Sequence, residues 1–304
     1  LEMGMSTPLH EIARLCRITP PDVAVVLNVL PVHLEHLGSI ENIAAAKSEI
    51  VEGMKDGGVA VLNADDARVA AMRSLTAGTV ITYGVENNAD VSATEIEYSG
   101  FGLTRFVLTT PDGSSSVSFP LNGRHNILNA LAAAAVGHIY GMSAQTIGES
   151  LSSVVAPPQR GEIIRLANGV TLINDSYNSN PDALISMVET LTDGAAGAPR
   201  RIVVAGEMLE LGDDAERLHH EAGLAIAGKN VDLLIGVRGF ARYLVEGAVD
   251  GGLADAVFAP DSAAAGELLA DQLGEGDVVL IKGSRGVRTE KVVEKLTDRF
   301  GLER

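Results

Sequence analysis

Short apolar runs rich in Val, Ile and Leu alternate with helical stretches along most of the chain, and this alternation restricts the fold more than any other feature. Strand-like runs occupy 22–29, 58–63 and 79–84, with helical stretches at 39–54 and 65–75. Ser39 is the expected N-cap of the first helix, with Asn42 three residues on, and Asp65 is the expected cap of the second. Beyond the middle of the chain the alternation resumes. Strands are expected at 162–166, 170–174, 200–206, 231–236, 256–259 and 277–282, with helices at 181–192, 214–228, 239–248, 261–273 and 289–299. Parallel strands need long crossovers, which helices supply, so the expectation is parallel sheets covered by helices. From 90 to 120 the pattern instead reads as antiparallel strands separated by turn signals. Helices at 123–141 and 143–154 follow, then VAPPQRGE (155–162), whose paired prolines mark a linker. The expected fold is α/β. Residues 1–157 form a domain with a parallel sheet plus small antiparallel strands, and 158–304 form a Rossmann-like, doubly wound domain.

Composition narrows the function. The 304 residues suffice for two full cores, and 46% hydrophobic content with 33 Gly and no Trp suits parallel strands. A formal net charge of −17 argues against a nucleic-acid groove or an anionic membrane surface as partner. A small anionic ligand remains compatible, because a few cations and backbone N–H groups can seat one. The single Cys16 leaves no internal disulfide and fits a reducing compartment, so a cytoplasmic location is expected. No apolar run approaches the roughly 20 residues of a membrane span. The opening LEMGMSTPLHEI has no initiator Met and reads as the end of a strand entering a loop, so a fragment is expected.

Three junctions of the second half are unusually polar: NDSYNSNP (174–181), GEMLELG (206–212) and KGSRGVR (282–288). Each would lie at the carboxyl end of a strand, where open α/β sheets hold ligands. In the first half, His33 follows a buried run and Lys47 lies in an Ala-rich helix. His33 alone reads more readily as a structural histidine than as a functional one. Lys47 reads as a snorkelling lysine, or as an amine held neutral by burial that can take up CO₂ as a carbamate. Asn126 and Asn129, one turn apart, fit a helix cap or the edge of an adenine. Arg160 in the linker is a solvated charge or a phosphate clamp. Glu207 and Glu210 suit an acidic helix start, and Lys282, Gly283, Ser284 and Arg285 suit a charged turn or an anion site.

Together, HLEHLGSIENIAAAKSEI, NGRHNILNALAAAA and the R-G-E after the linker resemble the Mur ligase family, the ATP-dependent amide-bond ligases of bacterial cell-wall precursor synthesis. NDSYNSNPDA, GEMLELGDDAERLHHE and KGSRGVRTEKVV resemble the member that joins D-Ala-D-Ala to UDP-N-acetylmuramoyl-tripeptide. The resemblance implies that 1–157 is the later part of a central ATPase domain and 158–304 the domain for dipeptide and nucleotide. It implies a catalytic set of Lys47, carbamylated, with His33 and Arg160, and Mg²⁺ ligation by Glu2, His33 and Lys47. It implies ATP contacts from Asn126, Asn129, Arg160, Asp175, Tyr177 and Asn180. Asn178, Asn180, Glu207, Met208, Lys282, Ser284 and Arg285 would meet the dipeptide. The implied reaction passes through an acyl phosphate, and a monomer is expected.

One family mark is missing. No G-x-x-x-x-G-K-[ST] phosphate loop occurs, the Gly-Lys pair at 228–230 lacking the flanking glycine. The chain is therefore expected to lack ligase activity alone. The rivals are a sister ligase, such as a folate polyglutamate ligase, and a non-catalytic binding module on the same scaffold.

Overall fold

The computed structural model describes residues 1–5, 10–31 and 34–303. The chain divides into two compact units. The first comprises Leu1–Glu97, Leu103–Pro120 and Arg124–Val154, and the second Tyr98–Gly102, Leu121–Gly123 and the chain from Val155 onward.

The first unit runs α1 (Glu11–Ile18), β1 (Val23–Val26), α2 (Leu34–Leu37), α3 (Ile40–Glu52), β2 (Val59–Asn63), α4 (Ala67–Ala71), β3 (Thr79–Gly84), β4 (Val91–Tyr98), β5 (Thr104–Thr110), β6 (Gly113–Phe119), α5 (Arg124–Ile139) and α6 (Ala144–Ser152). Its six strands are ordered β1-β2-β3-β4-β5-β6. β1, β2 and β3 pair in parallel, and β5 and β6 form an antiparallel hairpin. β4 meets the end of β3 in parallel, through Tyr83–Val91 and Gly84–Ser92, where only antiparallel pairing was expected. Val26, Ile43, Ala46, Ala60, Leu62 and Val69 make the core between the parallel strands and the α3–α4 side, while α5 packs on β2 and β3.

Local chemistry explains the boundaries. Ser39 caps α3 by accepting from Asn42 N at 3.2 Å, as its sequence indicates. The cap of α4 is Asp66 rather than Asp65, with Asp66 Oδ1 accepting from Arg68 N and Val69 N. Asp65 is occupied elsewhere, accepting from Val85 N, Glu86 N and Asn87 N across the β3–β4 turn. Residues 1–5 join no strand, contrary to the expectation for LEMGMS; Met5 packs against the α3 core and Met3 Sδ lies 3.7 Å from Cys16 Sγ. Helix α1 was not anticipated. Its start is held from outside, because Glu49 of α3 accepts from His10 N and from Ala13 N, while Ile12 and Cys16, four apart, are buried.

The second unit runs β7 (Glu162–Arg165), β8 (Thr171–Asp175), α7 (Pro181–Gly194), β9 (Arg201–Gly206), α8 (Ala215–Ala227), β10 (Leu233–Val237), α9 (Ala241–Asp250), β11 (Ala256–Ala259), α10 (Ser262–Ala270), β12 (Val278–Lys282) and α11 (Glu290–Phe300). The sheet order is β11-β10-β9-β12-β8-β7, parallel except for β7. Side chains alternate between two cores. Ile173, Val203, Ala205, Leu234 and Leu280 face Leu184, Leu191, Ile226 and Leu244, from α7, α8 and α9. Leu172, Ile202, Val204, Ile235 and Ile281 face Leu269, Val292 and Leu296, from α10 and α11. A strand buried on both faces reads as a continuous apolar run, as these do. β12 returns between β9 and β8, so these three neighbours end side by side, where chain order and sheet order part.

Candidate functional site

The polar junctions of the second unit converge as the parallel order requires. Lys282 stands opposite Asp175 in the β12–β8 register. Its Nζ, on a residue only 4% exposed, donates to Asp175 Oδ2 at 2.6 Å and to Asn178 O at 2.8 Å. Two residues on, Ser284 Oγ accepts from Leu209 N at 2.9 Å and donates to Ser179 O at 3.4 Å. Glu207 at the end of β9 gives its N–H to Val237 O, and its Oε1 accepts from Phe240 N at 3.0 Å. The ends of β8, β12, β9 and β10 are thereby stitched into one surface. Gly206 and Gly283 permit it: their Cα atoms approach so closely that a Cβ on Gly206 would sit 3.1 Å from Gly283 Cα and 2.8 Å from Thr289 Cγ2. A Cβ on Gly283 would meet the same methyl at 2.7 Å.

The linker lies on this surface. Gln159 O accepts from Tyr177 N at 3.2 Å, and Gln159 Oε1 accepts from Arg285 Nη1 at 3.0 Å. Glu162 Oε2 accepts from Asn174 Nδ2 at 3.0 Å. Arg160 is exposed and stacks its guanidinium 4.0 Å from the ring centroid of Tyr177, itself 44% exposed, a cation–π contact.

Several expected ligand residues also have structural duties. Asn180 caps α7, its Oδ1 accepting from Ala183 N at 2.9 Å, with Pro181 at the first helical position. Asn178 Oδ1 accepts from Ser179 N at 2.8 Å. Arg285 also lies 3.5 Å from Glu290 Oε1. Met208 is 1% exposed and its side chain belongs to the α7–α9 core, so only its backbone faces the turn. Met208 N donates to His219 Nε2 at 2.9 Å, and the other ring nitrogen lies 2.6 Å from Ala215 O. Accepting on Nε2 places the ring proton on Nδ1, which donates to Ala215 O. Burial holds the His219 pKa below the usual histidine range, against the pull of Ala215 O and Glu207. Ser179 Oγ and Thr289 Oγ1 are buried hydroxyls without a hydrogen-bond partner among the described residues, the kind of group a ligand or water satisfies. Gln159, Ser179 and His219 carry no sequence signal beyond lying within or beside the quoted motifs.

In the first unit, Lys47 is half-buried on α3 and its Nζ donates to Asn28 O at 2.7 Å, just past β1. Asp66 Oδ2 accepts from the next amide, Val29 N, at 2.7 Å. Burial lowers the Lys47 pKa, and Asp66 partly restores it. Asn126 is half-buried and Asn129 exposed in the opening turns of α5. Arg124, the first residue of that helix, pairs with Asp65 at 3.3 Å and with Glu86, anchoring it to the β3–β4 turn. Glu2 is exposed in the opening segment, and His33 lies outside the described residues. Among the described residues, no group of three or more His, Cys, Asp or Glu side chains could hold a metal ion, and no helix is long and apolar enough to cross a membrane.

Comparison with known proteins agrees with this geometry. Residues 1–137 match the Mur ligase middle domain, and 159–285 match the Mur ligase, glutamate ligase domain. The chain is 32% identical over 299 residues to the UDP-N-acetylmuramoyl-tripeptide–D-alanyl-D-alanine ligase of Bacillus subtilis, covering 98% of this chain and 64% of that protein. MurF from Acinetobacter baumannii superimposes with a TM-score of 0.87 at 30% identity, over 97% of this chain and 63% of its own. MurF from Thermotoga maritima, solved in complex with ADP, superimposes with a TM-score of 0.85 at 29% identity, over 98% of this chain and 66% of its own. With both domain types in order, relatives matching along nearly all of its length, and the polar strand ends its sequence motifs required, the chain belongs to the Mur ligase family.

Proposed function

We propose that this chain contributes to an ATP-dependent ligase that joins D-Ala-D-Ala to UDP-N-acetylmuramoyl-tripeptide in peptidoglycan precursor synthesis, in the cytoplasm and as a monomer. The supporting observation is the side-by-side ending of β8, β12 and β9 with Asp175, Lys282, Ser284 and Glu207 drawn together there. Residues 1–157 would be the later part of the ATPase domain, and 158–304 the dipeptide and nucleotide domain.

The substrate carboxylate would take the γ-phosphoryl group of ATP, releasing ADP and giving an acyl phosphate; the dipeptide amine would then attack its carbonyl carbon, losing a proton and expelling phosphate to leave the amide. Asn126 and Asn129 would present amides to the adenine edge. Asp175 would accept from the ribose, held in place by Lys282. Arg160 is planar and multiply donating, suited to a phosphate once it leaves the Tyr177 ring. Ser284, Arg285, Glu207 and the Tyr177–Asn180 turn would line the dipeptide seat. Positioning and charge neutralisation, rather than covalent chemistry on the protein, are the contributions such side chains make.

The described residues do not by themselves compose a centre for Mg²⁺: of the expected set, His33 is not described, and no acidic or histidine cluster accompanies Glu2. Lys47 does suit carbamate formation, because its half-buried amine is biased toward the neutral form. The amine nitrogen would bond to the carbon of CO₂ with release of one proton, leaving a carboxylate-like group. A carbamate resonance after supply of ¹³C-bicarbonate, lost in Lys47→Met, is the expected result; the same resonance in both proteins would refute it.

The chain spans 60–64% of the length of the first relatives it matches and carries no phosphate-loop pattern. The test is phosphate release from ATP with Mg²⁺, the UDP-muramoyl-tripeptide and D-Ala-D-Ala. It compares this chain with a protein extended at its amino end to the relatives' length. Turnover by the longer protein alone is expected. Turnover by the short chain would refute the need for a phosphate loop, and turnover by neither would refute the activity.

A further inference from the structure

We infer that His219 is a positioning residue for the carboxyl-end surface, fixing the Glu207–Leu209 turn against α8; its consequence for dipeptide binding rests on the proposed function. Three consecutive amides of this turn donate to three different elements. Glu207 N bonds to Val237 O of β10, Met208 N to His219 Nε2 of α8, and Leu209 N to Ser284 Oγ after β12. The two outer bonds hold the turn to neighbouring strand ends. The middle bond ties it to the helix behind.

His219 is 0% exposed and Met208 1%, so the ring rather than bulk solvent is the acceptor for this amide. The ring is itself fixed, its Nδ1–H donating to Ala215 O at 2.6 Å one helical turn back. The acceptor is thus held by the buried face of α8, which sets the height of Met208 above the sheet. Leu209 N, the next amide, positions the hydroxyl of Ser284, which in turn donates to Ser179 O in the turn between β8 and α7. Glu207, the preceding residue, holds the Arg238–Phe240 turn through Phe240 N, and Arg238 Nε approaches its Oε2 at 3.7 Å. A shift of Met208 therefore moves contacts at four strand ends, although His219 itself stays behind the surface.

The test uses the 304-residue chain and three variants. His219→Gln can place an acceptor near the Nε2 position, His219→Asn can keep a donor to Ala215 O while losing that acceptor, and His219→Leu removes both. Amide exchange at Met208 and Leu209 should quicken about tenfold or more in the Asn and Leu variants and stay near parent in Gln, as expected when a buried N–H loses its partner. Affinity for D-Ala-D-Ala by calorimetry should weaken about tenfold in Asn and Leu and recover in Gln. ¹⁵N spectra of the unmodified chain should show the proton on Nδ1. A proton on Nε2, equal exchange in Gln and Asn, or unchanged Met208 protection in Leu would overturn the inference. If the parent chain binds no dipeptide, the functional reading of this surface fails, while the exchange series and the tautomer still decide the role of His219.

Discussion

Replacing Lys282 by Met isolates the charge at the centre of the second sheet, because Met retains most of the stem and leaves little cavity. In the native chain the ammonium lies 2.6 Å from Asp175 Oδ2, with the two side chains 5% and 15% exposed. Removing one partner of a buried pair costs about 3–5 kcal/mol, mostly because the remaining charge is left uncompensated. The partial access of Asp175 to water favours the lower end. Asn178 O also loses its donor, which adds about 1 kcal/mol. The expected loss for Lys282→Met is therefore about 3–4 kcal/mol. Lys282→Met with Asp175→Asn should recover about half of it, since no bare carboxylate then remains. The chain has two compact units, so one unfolding transition cannot stand for both. Urea-dependent amide exchange at β8 and β12 reads the second unit directly. A loss under about 1 kcal/mol, or a double variant no more stable than Lys282→Met, would refute the assignment of the cost to an uncompensated charge.

Other substitutions test separate parts of the fold. Glu49→Ala removes the cap that accepts from His10 N and Ala13 N and should cost about 1–2 kcal/mol, seen as faster exchange in α1 with β2 unchanged. Gly239→Ala should destabilise the second unit by about 2 kcal/mol or more, measured by urea-dependent amide exchange at β9 and β10, since a Cβ there would lie 2.0 Å from Glu207 Oε1 at a φ of +50°. Gly239→Asn, which tolerates the dihedral, should fare no better. Burial raises the Asp65 pKa, but the Val85, Asn87 and Glu86 amides and Arg124 outweigh it and hold the carboxyl below its usual range. A depressed folded pKa means that Asp65 stabilises the first unit above about pH 4 and loses that contribution as pH falls through the folded value. Asp65→Asn should flatten the acid limb of first-unit stability, and an unchanged limb would refute it.

What the sequence reveals here depends on how local the determining forces are. The strands of the second unit are legible because both faces are buried and each run is continuously apolar. Ser39 is legible as a cap because its partner lies three residues away. Helix α1 was hidden because its cap comes from Glu49, far along the chain, and its buried face rests on only Ile12 and Cys16. Asp65 and Asp66 are adjacent and chemically identical, and only the tertiary fold, by bringing Val85 to Asn87 beside Asp65, assigns the cap to Asp66. The polar junctions were visible as a group because parallel topology places strand ends together. Their internal division of labour was not, since Asn180 as helix cap, Met208 as core and Lys282 as the partner of Asp175 are set by neighbours distant in sequence.

Thr289 has a wider consequence than its own packing. Its single methyl group stands where the side chains of both Gly206 and Gly283 would otherwise be. Side chains at these positions would thus crowd the same methyl, and substitutions at them are coupled through it. A methyl gained at 206 is offset in part by one given up at 289, the contacts with Val287 Cγ1 at 3.0 Å and Gly283 Cα at 3.1 Å remaining. The pair Gly206→Ala with Thr289→Ser should accordingly be better tolerated than Gly206→Ala alone, and a library randomised at 206, 283 and 289 should return compensated combinations. Survivors distributed as three unlinked positions would show that the strand ends yield more readily than their close approach implies.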